Sequence, residues 1–258
     1  MSDPQKTKAP RARLDVALVD HGLAETRAKA QALILAGRVL VDGVPVDKCG
    51  TPVREGQSIS LKEARRPFVS RGGEKLDGAL DDLGVPVEGA IALDVGASTG
   101  GFTDCLLRRG AARVYAVDVG ERLIDERLRH DPRVTVIERV NFRHATPGLI
   151  PEKATLATVD VSFISLRHIL IPLRELLAPV ARVLAMVKPQ FEVGRESVGK
   201  GGVVRDDTLR ALAVDGVSAF AEAHGYRLLG KAESRVSGPK GNREVFILLE
   251  VVSPAECP

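Results

Sequence analysis

The sequence predicts an α/β protein with a mostly parallel, doubly wound sheet and a small α+β module in front of it. From residue 74 onward, apolar strand-like runs alternate with helix-like segments, the order typical of a parallel sheet covered by helices on both faces. A glycine-rich turn joins two of these runs, and an acid closes each run, Asp94 and Asp118. Residues 12–62 instead predict two short helices followed by three short strands.

The composition is that of an ordinary globular protein. At 258 residues the chain has room for one large and one small domain, and 44% of its residues are apolar and 28% charged. Its three cysteines form no C-x-x-C pair, so we expect neither a disulfide framework nor a metal site. The chain starts without the apolar centre of a signal peptide, and no apolar run reaches the roughly 18 residues of a membrane span. We therefore expect a cytoplasmic protein without a membrane partner.

The positive charge of the chain is concentrated at its front. Residues 1–66 carry 12 Lys and Arg against 8 Asp and Glu, whereas the formal net charge of the whole chain is +3. A basic module on a near-neutral body is typical of a protein that binds a polyanion. Charge alone is equally consistent with a solvated surface.

The small domain is predicted to span residues 12–62, after a disordered tail at 1–11. A first helix starts near Leu14, and a second helix is capped by Thr26. Asp42-Gly43 lies between two short β runs, which is a strong indication of a hairpin turn. A third strand follows at residues 59–61.

Residues 63–73 are polar and basic, and they predict a linker to the large domain, residues 74–258. This domain begins with a helix that ends at Gly84. Its further predicted helices are Phe102–Arg109, Leu166–Leu177 and Leu209–His224. Its predicted strands are Ile91–Asp94, Val114–Val117, Val134–Ile137, Leu156–Val159, Val183–Val187, Tyr226–Ser234 and Glu244–Val252. The loop 194–207 is long enough to act as a lid.

The turn DVGASTGG predicts a nucleoside-type ligand. Glycine allows the backbone to approach a ligand closely, and the N-terminus of the helix that follows favours an anionic group. Asp118, at the end of the next strand, can accept hydrogen bonds from both hydroxyls of a ribose. An NAD site uses the same parts, but the order Asp-x-Gly-x-Ser-x-Gly-Gly favours S-adenosyl-L-methionine (SAM). The predicted cofactor-binding residues are Asp94, Gly96, Ser98, Gly100, Gly101, Asp118 and Asn141. For Asn141 a loop-capping role is equally open.

Two lysines and two acids are expected at the edge of the sheet where ligands bind, beyond the carboxyl ends of the strands. Asp160 and Lys188 end the fourth and fifth strands, and Lys75 and Glu244 can reach the same edge. Side chains gathered at this edge can act together on a bound ligand.

The run RLDVALVDHGLAETRAKAQALILAGRVLVDGVPV resembles the S4-like (αL) RNA-binding motif. The resemblance implies an RNA partner whose backbone faces the second helix and the loop after it. The residues expected to bind RNA, including basic residues of the linker, are Arg13, Arg27, Lys29, Arg38, Arg65, Arg66 and Arg71. The alternative is a solvated helix face.

The order Lys-Asp-Lys-Glu at positions 75, 160, 188 and 244 is the pattern of FtsJ-like RNA 2′-O-methyltransferases. The strings VSRGGEKL, LDVGASTGGFTDCLL, VDVSFISL, MVKPQFE and GNREVF resemble the TlyA family more narrowly. The resemblance implies a Rossmann-like SAM-dependent methyltransferase domain, with those four residues as the catalytic set. It also implies ribosomal RNA (16S, 23S or both), free or within ribosomal subunits, as the partner, and a cytidine ribose 2′-hydroxyl as the methyl acceptor. A ribose hydroxyl is a poor nucleophile while it keeps its proton, so methyl transfer to it needs a base and alignment. Lys188 is the predicted base, and the two acids fix the positions of the lysines.

Three other functions are alternatives to RNA 2′-O-methylation. Some members of the family carry the name hemolysin, which suggests a membrane-active cytolysin. A base methyltransferase on the same fold usually has Asp/Asn-Pro-Pro-aromatic after the fourth strand for amino groups, whereas this chain has Asp160-Val161-Ser162-Phe163. Methylation at a pyrimidine carbon needs a nucleophilic cysteine, and none is predicted at a strand end. A non-catalytic RNA-binding protein would not need the two lysines and two acids.

Overall fold

The computed structural model describes residues 11–61, 68–194, 197–199, 201–238 and 241–252. The chain forms two compact units, residues 1–65 and 66–258. The division between the units falls inside the predicted linker, and the finer limits of the predicted domains stay a prediction.

The first unit contains the predicted helix pair and hairpin. Its elements are β1 (Arg11–Arg13), α1 (Leu14–Asp20), α2 (Arg27–Leu35), β2 (Val39–Val41), β3 (Val44–Val46), β4 (Pro52–Arg54) and β5 (Ile59–Leu61). Thr26 caps α2, because its side chain accepts a hydrogen bond from the Lys29 backbone N–H at 3.3 Å. Asp42 and Gly43 both have positive φ angles, as a two-residue hairpin turn requires, and β3, β2 and β5 form one antiparallel sheet.

The prediction of a disordered tail through residue 11 is wrong at its last residue. Arg11 begins β1, which pairs antiparallel with β4. The pairing joins residues about forty positions apart, and three residues are too few to show a strand pattern in the sequence. Residues 1–10 lie outside the described residues.

The second unit is the predicted doubly wound sheet. Its helices are α3 (Arg71–Asp82), α4 (Gly101–Arg108), α5 (Glu126–Arg129), α6 (Arg167–Arg174) and α7 (Asp207–Ala223). Its strands are β6 (Ile91–Val95), β7 (Arg113–Val117), β8 (Val134–Ile137), β9 (Ala154–Val159), β10 (Leu177–Val187), β11 (Tyr226–Glu233) and β12 (Val245–Val251). The strand order is β11-β12-β10-β9-β6-β7-β8, and β12 runs antiparallel to both of its neighbours. The strands from β10 to β8 are parallel, which confirms the predicted fold class.

Helices cover both faces of this sheet. Buried residues of α6 and α7, such as Ile169 and Val217, pack on one face together with Leu93 and Val95 of β6. Leu76 of α3, with residues of α4 and α5, packs on the other face. The parallel strands are therefore buried on both sides, and their carboxyl ends form one open edge.

One boundary differs from the prediction. The helix expected to run to Leu177 ends at Arg174, and β10 begins at Leu177 rather than at Val183. Pro179 and Val180, which has a positive φ of 56°, interrupt the start of β10, and its pairing with β9 shifts register between Leu177 and Arg182. The irregular start hides the strand from a periodicity argument. Among the described residues, no helix is long and apolar enough to span a bilayer.

Candidate active site

The glycine turn between β6 and α4 brings two strand ends into contact. Gly96 has φ 85°, a left-handed conformation, and a Cβ there would lie 2.5 Å from the carbonyl oxygen of Asp160. The Asp160 backbone N–H donates a hydrogen bond to the carbonyl of Val95 at 2.9 Å. Only glycine fits this position, because both the φ angle and the space exclude a side chain. The turn therefore holds the end of β9 directly beside it.

The two later glycines of the turn serve packing. Gly100 has φ 88°, and a Cβ there would collide with Leu128 and Ile124. Gly101 begins α4, and a Cβ there would collide with Ser70 at the start of α3. Gly101 lies on the wall of a cavity, whereas Gly100 faces the apolar side chains of the segment around α5.

A first cavity of about 460 Å³ opens at the carboxyl ends of β6, β7 and β9. Gly96, Ser98, Asp118 and Asn141 line it, as the sequence predicts. Asp118 accepts hydrogen bonds from the Ser98 backbone N–H at 2.8 Å and from the Gly120 backbone N–H at 2.7 Å. Asn141 lines the cavity, and its side chain accepts a hydrogen bond from the Arg143 backbone N–H at 3.2 Å, which confirms the loop-capping role; its contact with a cofactor stays a prediction. These contacts fix the polar side chains in place without a ligand.

Asp94 does not reach this cavity. Its side chain is fully buried, and it accepts hydrogen bonds from the Thr103 hydroxyl at 2.7 Å and from the Thr158 hydroxyl at 3.1 Å. Burial raises the pKa of Asp94 to about 7, against the lowering effect of the two hydroxyls. The carboxyl links β6 to β9 and α4 beneath the turn. The predicted direct contact with a cofactor is thus replaced by a structural link, because the strand turns this side chain into the core.

A second cavity of about 250 Å³ adjoins the first, and Gly96, Ser98 and Asp160 line both. The start of α3 forms its other wall, with Ser70, Arg71, Gly72 and Lys75. Ser70 caps this helix by accepting a hydrogen bond from the Gly72 backbone N–H at 3.3 Å. Arg71, Lys75 and the helix N-terminus face this cavity together with the carboxylate of Asp160, so an anion is favoured at the helix N-terminus beside Arg71.

The four predicted catalytic residues form two ion pairs at this edge. Lys75 Nζ lies 2.6 Å from Glu244 Oε2, and Lys188 Nζ lies 2.5 Å from Asp160 Oδ1. The two lysine side chains are each only 10% exposed, and the Glu244 side chain is fully buried. Lys75 and Asp160, one from each pair, line the second cavity. Each lysine thus contacts one of the two acids that the sequence expects to hold it.

Two oxygens of these pairs lack well-aligned hydrogen bonds. Among the described residues, Glu244 Oε1 and Asp160 Oδ1 are buried without a hydrogen-bond partner, although Lys188 lies close to Asp160 as an ion pair. Lys188 donates its aligned hydrogen bond to the Ser162 hydroxyl at 2.9 Å. Buried polar atoms are normally satisfied. Glu244 Oε1 thus keeps acceptor capacity beside Lys75, whereas Asp160 Oδ1 faces the Lys188 ammonium group.

Sequence reasoning missed the contacts that join the loops after β9 and β10. Glu192 accepts a hydrogen bond from the Ser165 hydroxyl at 2.6 Å and from the Leu166 backbone N–H at 2.8 Å. Burial raises the pKa of Glu192. The rings of Phe163 and Phe191 lie 5.2 Å apart between the same loops. No spacing pattern could have indicated these pairs, because the partners lie in loops separated by a helix and a strand.

The residues predicted to bind RNA lie in different places. Arg13 and Arg27 are exposed in the first unit, and both contact Asp15, whereas Lys29 pairs with Glu25. Arg38 precedes β2 and is partly buried. Arg71 lies in the second unit, on the wall of the second cavity. The two remaining residues, Arg65 and Arg66, lie outside the described residues, as do Arg195 and Lys200 of the predicted lid.

Comparison with known proteins identifies the family. Residues 68–251 match the FtsJ-like methyltransferase family, and residues 12–59 match the S4 domain. TlyA of Mycobacterium tuberculosis, a 16S/23S rRNA (cytidine-2′-O)-methyltransferase by name, is 46% identical over 93% of this chain and 90% of its own length. The chain belongs to the TlyA family. Hemolysin A of Brachyspira hyodysenteriae is 40% identical to it, over 90% of this chain and 97% of that protein.

A solved structure supports the same family. A hemolysin-named protein from Streptococcus thermophilus shares 41% identity and a TM-score of 0.73, over 95% of this chain and 90% of that one. The family predicted from the sequence strings, and SAM as its cofactor, are confirmed. The residues fit this cofactor, because Gly96 and Ser98 of the glycine turn line the cavity, and Asp118 stands on its wall at the strand end with its carboxylate held by two backbone N–H groups. Within the described parts of the chain, no cluster of His, Cys, Asp and Glu has the arrangement of a metal site.

Proposed function

We propose that this protein transfers the methyl group of SAM to the 2′-hydroxyl of a cytidine ribose in ribosomal RNA. One observation carries the proposal: the pairs Lys75–Glu244 and Lys188–Asp160 lie beside the glycine turn, with Lys75 and Asp160 on the wall of a cavity that this turn lines. The names of the relatives support the choice of acceptor. We infer that both ribosomal RNAs are candidate substrates, since the M. tuberculosis relative is named for both.

The first cavity would hold the adenosine part of SAM. Asp118 would bind the ribose hydroxyls, for which its fixed carboxylate has lone pairs beyond those that accept from Ser98 and Gly120. Asn141 would contact the base. The second cavity, with the start of α3 and Arg71, would take the carboxylate of the methionine part. When bound, SAM supplies an electrophilic methyl carbon.

The lysines and acids would handle the proton of the 2′-hydroxyl. Lys188 can accept it only after passing on a proton of its own, and Asp160 Oδ1 lies 2.5 Å from its Nζ. The hydroxyl proton would thus end in the Lys188–Asp160 pair. Lys75 is held by Glu244 at 2.6 Å. It would donate a hydrogen bond to the ribose 2′-oxygen while negative charge develops on that oxygen. A positioned base supplies about 10²- to 10⁴-fold in rate, and alignment supplies roughly 7–11 kcal/mol.

The described cysteines support ribose rather than carbon methylation. Cys105 is buried in α4, and burial raises the pKa of its thiol to about 12, which leaves it an inert thiol. Cys49 lies in the first unit. Neither side chain lines the two cavities at the glycine turn. Cys257 lies outside the described residues.

The first unit would bind RNA through its basic side chains. Arg13, Arg27, Lys29 and Arg38 would contact phosphates and position the substrate, a role that the S4 match supports. We extend the same proposal to Arg65 and Arg66 on charge alone, and Arg71 would meet RNA or cofactor beside the active site. Phosphate contacts make affinity depend on salt, so RNA binding should weaken as the salt concentration rises.

Methyl transfer to ribosomal subunits tests the proposal. Purified protein and SAM with a tritiated methyl group are incubated with small and large subunits from a strain that lacks this protein. We expect RNA-bound label with wild type and little with Lys188→Ala. Lysis of erythrocytes by the same preparation, without RNA labelling, would instead support the cytolysin.

A further inference from the structure

A buried acid lies beneath two exposed arginines in the first unit. Asp15 has a fully buried side chain, whereas those of Arg13 and Arg27 are 54% and 56% exposed. Arg13 Nε lies 3.1 Å from Asp15 Oδ1, and Arg27 Nε lies 2.9 Å from Asp15 Oδ2. Gln31 also donates to Asp15 Oδ2, at 2.9 Å. One carboxylate therefore contacts three side chains from two segments of the chain.

The position of Asp15 explains why it can make these contacts. It lies in the first turn of α1, Arg13 directly precedes that helix, and Arg27 and Gln31 lie one turn apart on α2. The carboxylate thus links the starts of two helices. The Arg13 guanidinium, with Gln31 and Arg27, holds the pKa of Asp15 well below its usual range. Asp15 is consequently a permanent anion at neutral pH.

The arginines keep donors for a further ligand. Arg13 contacts Asp15 through Nε and Nη2, and Arg27 contacts it through Nε. The guanidinium carries five N–H donors in a rigid plane, so each arginine still has N–H groups for a phosphate. Within the described residues, no further hydrogen bond engages the terminal nitrogens of Arg27. The side chains are ordered before RNA arrives, which removes part of the cost of ordering them on binding.

We propose that Asp15 is a positioning residue that presents Arg13 and Arg27 as a preformed pair to the phosphate backbone of ribosomal RNA. The inference rests on the proposed RNA-binding role of the first unit. In this role Asp15 strengthens RNA binding, although its negative charge by itself weakens it. A carboxylate near the RNA repels phosphates, so charge alone predicts that its loss tightens RNA binding.

The substitution Asp15→Asn separates the two effects. It removes the charge and keeps the size of the side chain, and positioning predicts weaker binding. If the RNA must then order both arginine side chains itself, we expect its affinity to fall by roughly 5- to 150-fold. Asp20→Asn is the matched control, since Asp20 is an exposed aspartate in the last turn of the same helix. It makes the same change of charge, and we expect RNA affinity that is unchanged or slightly tighter.

The measurement is fluorescence anisotropy of the full-length protein on labelled 16S and 23S transcripts at several KCl concentrations. We expect Asp15→Asn to weaken binding, and to add nothing once Arg13 and Arg27 are both alanine. Affinity for SAM and the melting temperature report whether the variant is folded. If Asp15→Asn does not fold, the double variant Arg13→Lys with Arg27→Lys takes its place. This variant keeps both positive charges and loses the planar guanidinium groups. We expect it to bind RNA more weakly, with the same dependence of affinity on salt concentration.

The outcomes distinguish this inference from the proposed function. If folded Asp15→Asn binds RNA as tightly as wild type or more tightly, the positioning role is overturned. It is also overturned if Asp15→Asn weakens RNA binding by the same factor when Arg13 and Arg27 are both alanine. Unchanged binding by the lysine pair also overturns it. If the double-alanine variant binds RNA like wild type, the proposed RNA-binding face itself is wrong.

Discussion

Substituting Gly96 by alanine tests how the glycine turn builds the active site. The residue has φ 85°, and placing a non-glycine residue in the left-handed region costs about 1–2 kcal/mol. The new Cβ would also lie 2.5 Å from the Asp160 carbonyl oxygen and 3.0 Å from the Asp160 carbonyl carbon, whereas ordinary contact begins at 3.4 Å. Both are backbone atoms, so the end of β9 must move by most of an ångström.

That movement displaces Asp160 from Lys188 and changes the shape of both cavities. A misplacement of about 1 Å costs on the order of 10²-fold in rate, and we expect SAM to bind at least about tenfold more weakly, which corresponds to 1.4 kcal/mol. The assays are calorimetric titration with SAM and single-turnover methyl transfer.

Gly89 provides the control for backbone strain. It has φ 71°, and a Cβ there meets nothing within 4 Å. Gly89→Ala should lower the melting temperature by roughly 2–8 °C through strain alone, and SAM affinity should stay at the wild-type value. Gly96→Ala could instead keep wild-type SAM affinity and turnover and lose only as much stability as Gly89→Ala. That result would show that a Cβ at position 96 does not displace Asp160 at the end of β9.

Three further substitutions separate binding, chemistry and stability. Lys188→Ala should lower turnover by about 10²- to 10⁴-fold with SAM affinity retained, and collapse of SAM binding with normal turnover of the bound fraction would contradict the role as base. Asp118→Asn should raise the SAM dissociation constant more than it lowers turnover at saturating SAM, as steady-state kinetics would measure; a pure loss of turnover would argue against the ribose contact. Asp94 has a folded-state pKa raised from 3.8 to about 7, so its neutral form stabilises the fold below pH 3.8 and this contribution is lost as pH rises to about 7. Urea denaturation at several pH values should show that the free energy of unfolding of wild type falls between pH 3.8 and about 7, and that this fall is absent in Asp94→Asn. Identical pH profiles of stability for the two proteins would rule out this role of Asp94.

The sequence was most informative where local geometry determines function. The glycine spacing and the strand-end acid Asp118 predicted the cavity, because left-handed φ angles and strand ends are encoded by neighbouring residues. The sequence also placed Asp160 and Lys188 at one edge, since the carboxyl ends of parallel strands meet there. That Lys75 and Glu244 reach the same edge followed from the family pattern.

Partners across the fold were not predictable in the same way. Spacing assigns a residue to a face of a helix or strand, but not to the element that packs on that face. Asp94 was expected in the cavity and lies in the core, where two threonine hydroxyls bind it. Arg27 and Gln31 lie four residues apart on α2, whereas their common contact with Asp15 depends on how α1 packs on α2. The pairing of each lysine with its own acid depends in the same way on tertiary structure.

We propose that these two ion pairs direct the methyl group to a ribose oxygen. Mass spectrometry of nucleosides can show this, using ribosomal RNA that the purified protein has methylated with deuterium-labelled SAM. We expect labelled cytidine whose label stays with the ribose fragment, and loss of this product in Lys188→Ala. Label on the cytosine base, or equal labelling by Lys188→Ala, would contradict it.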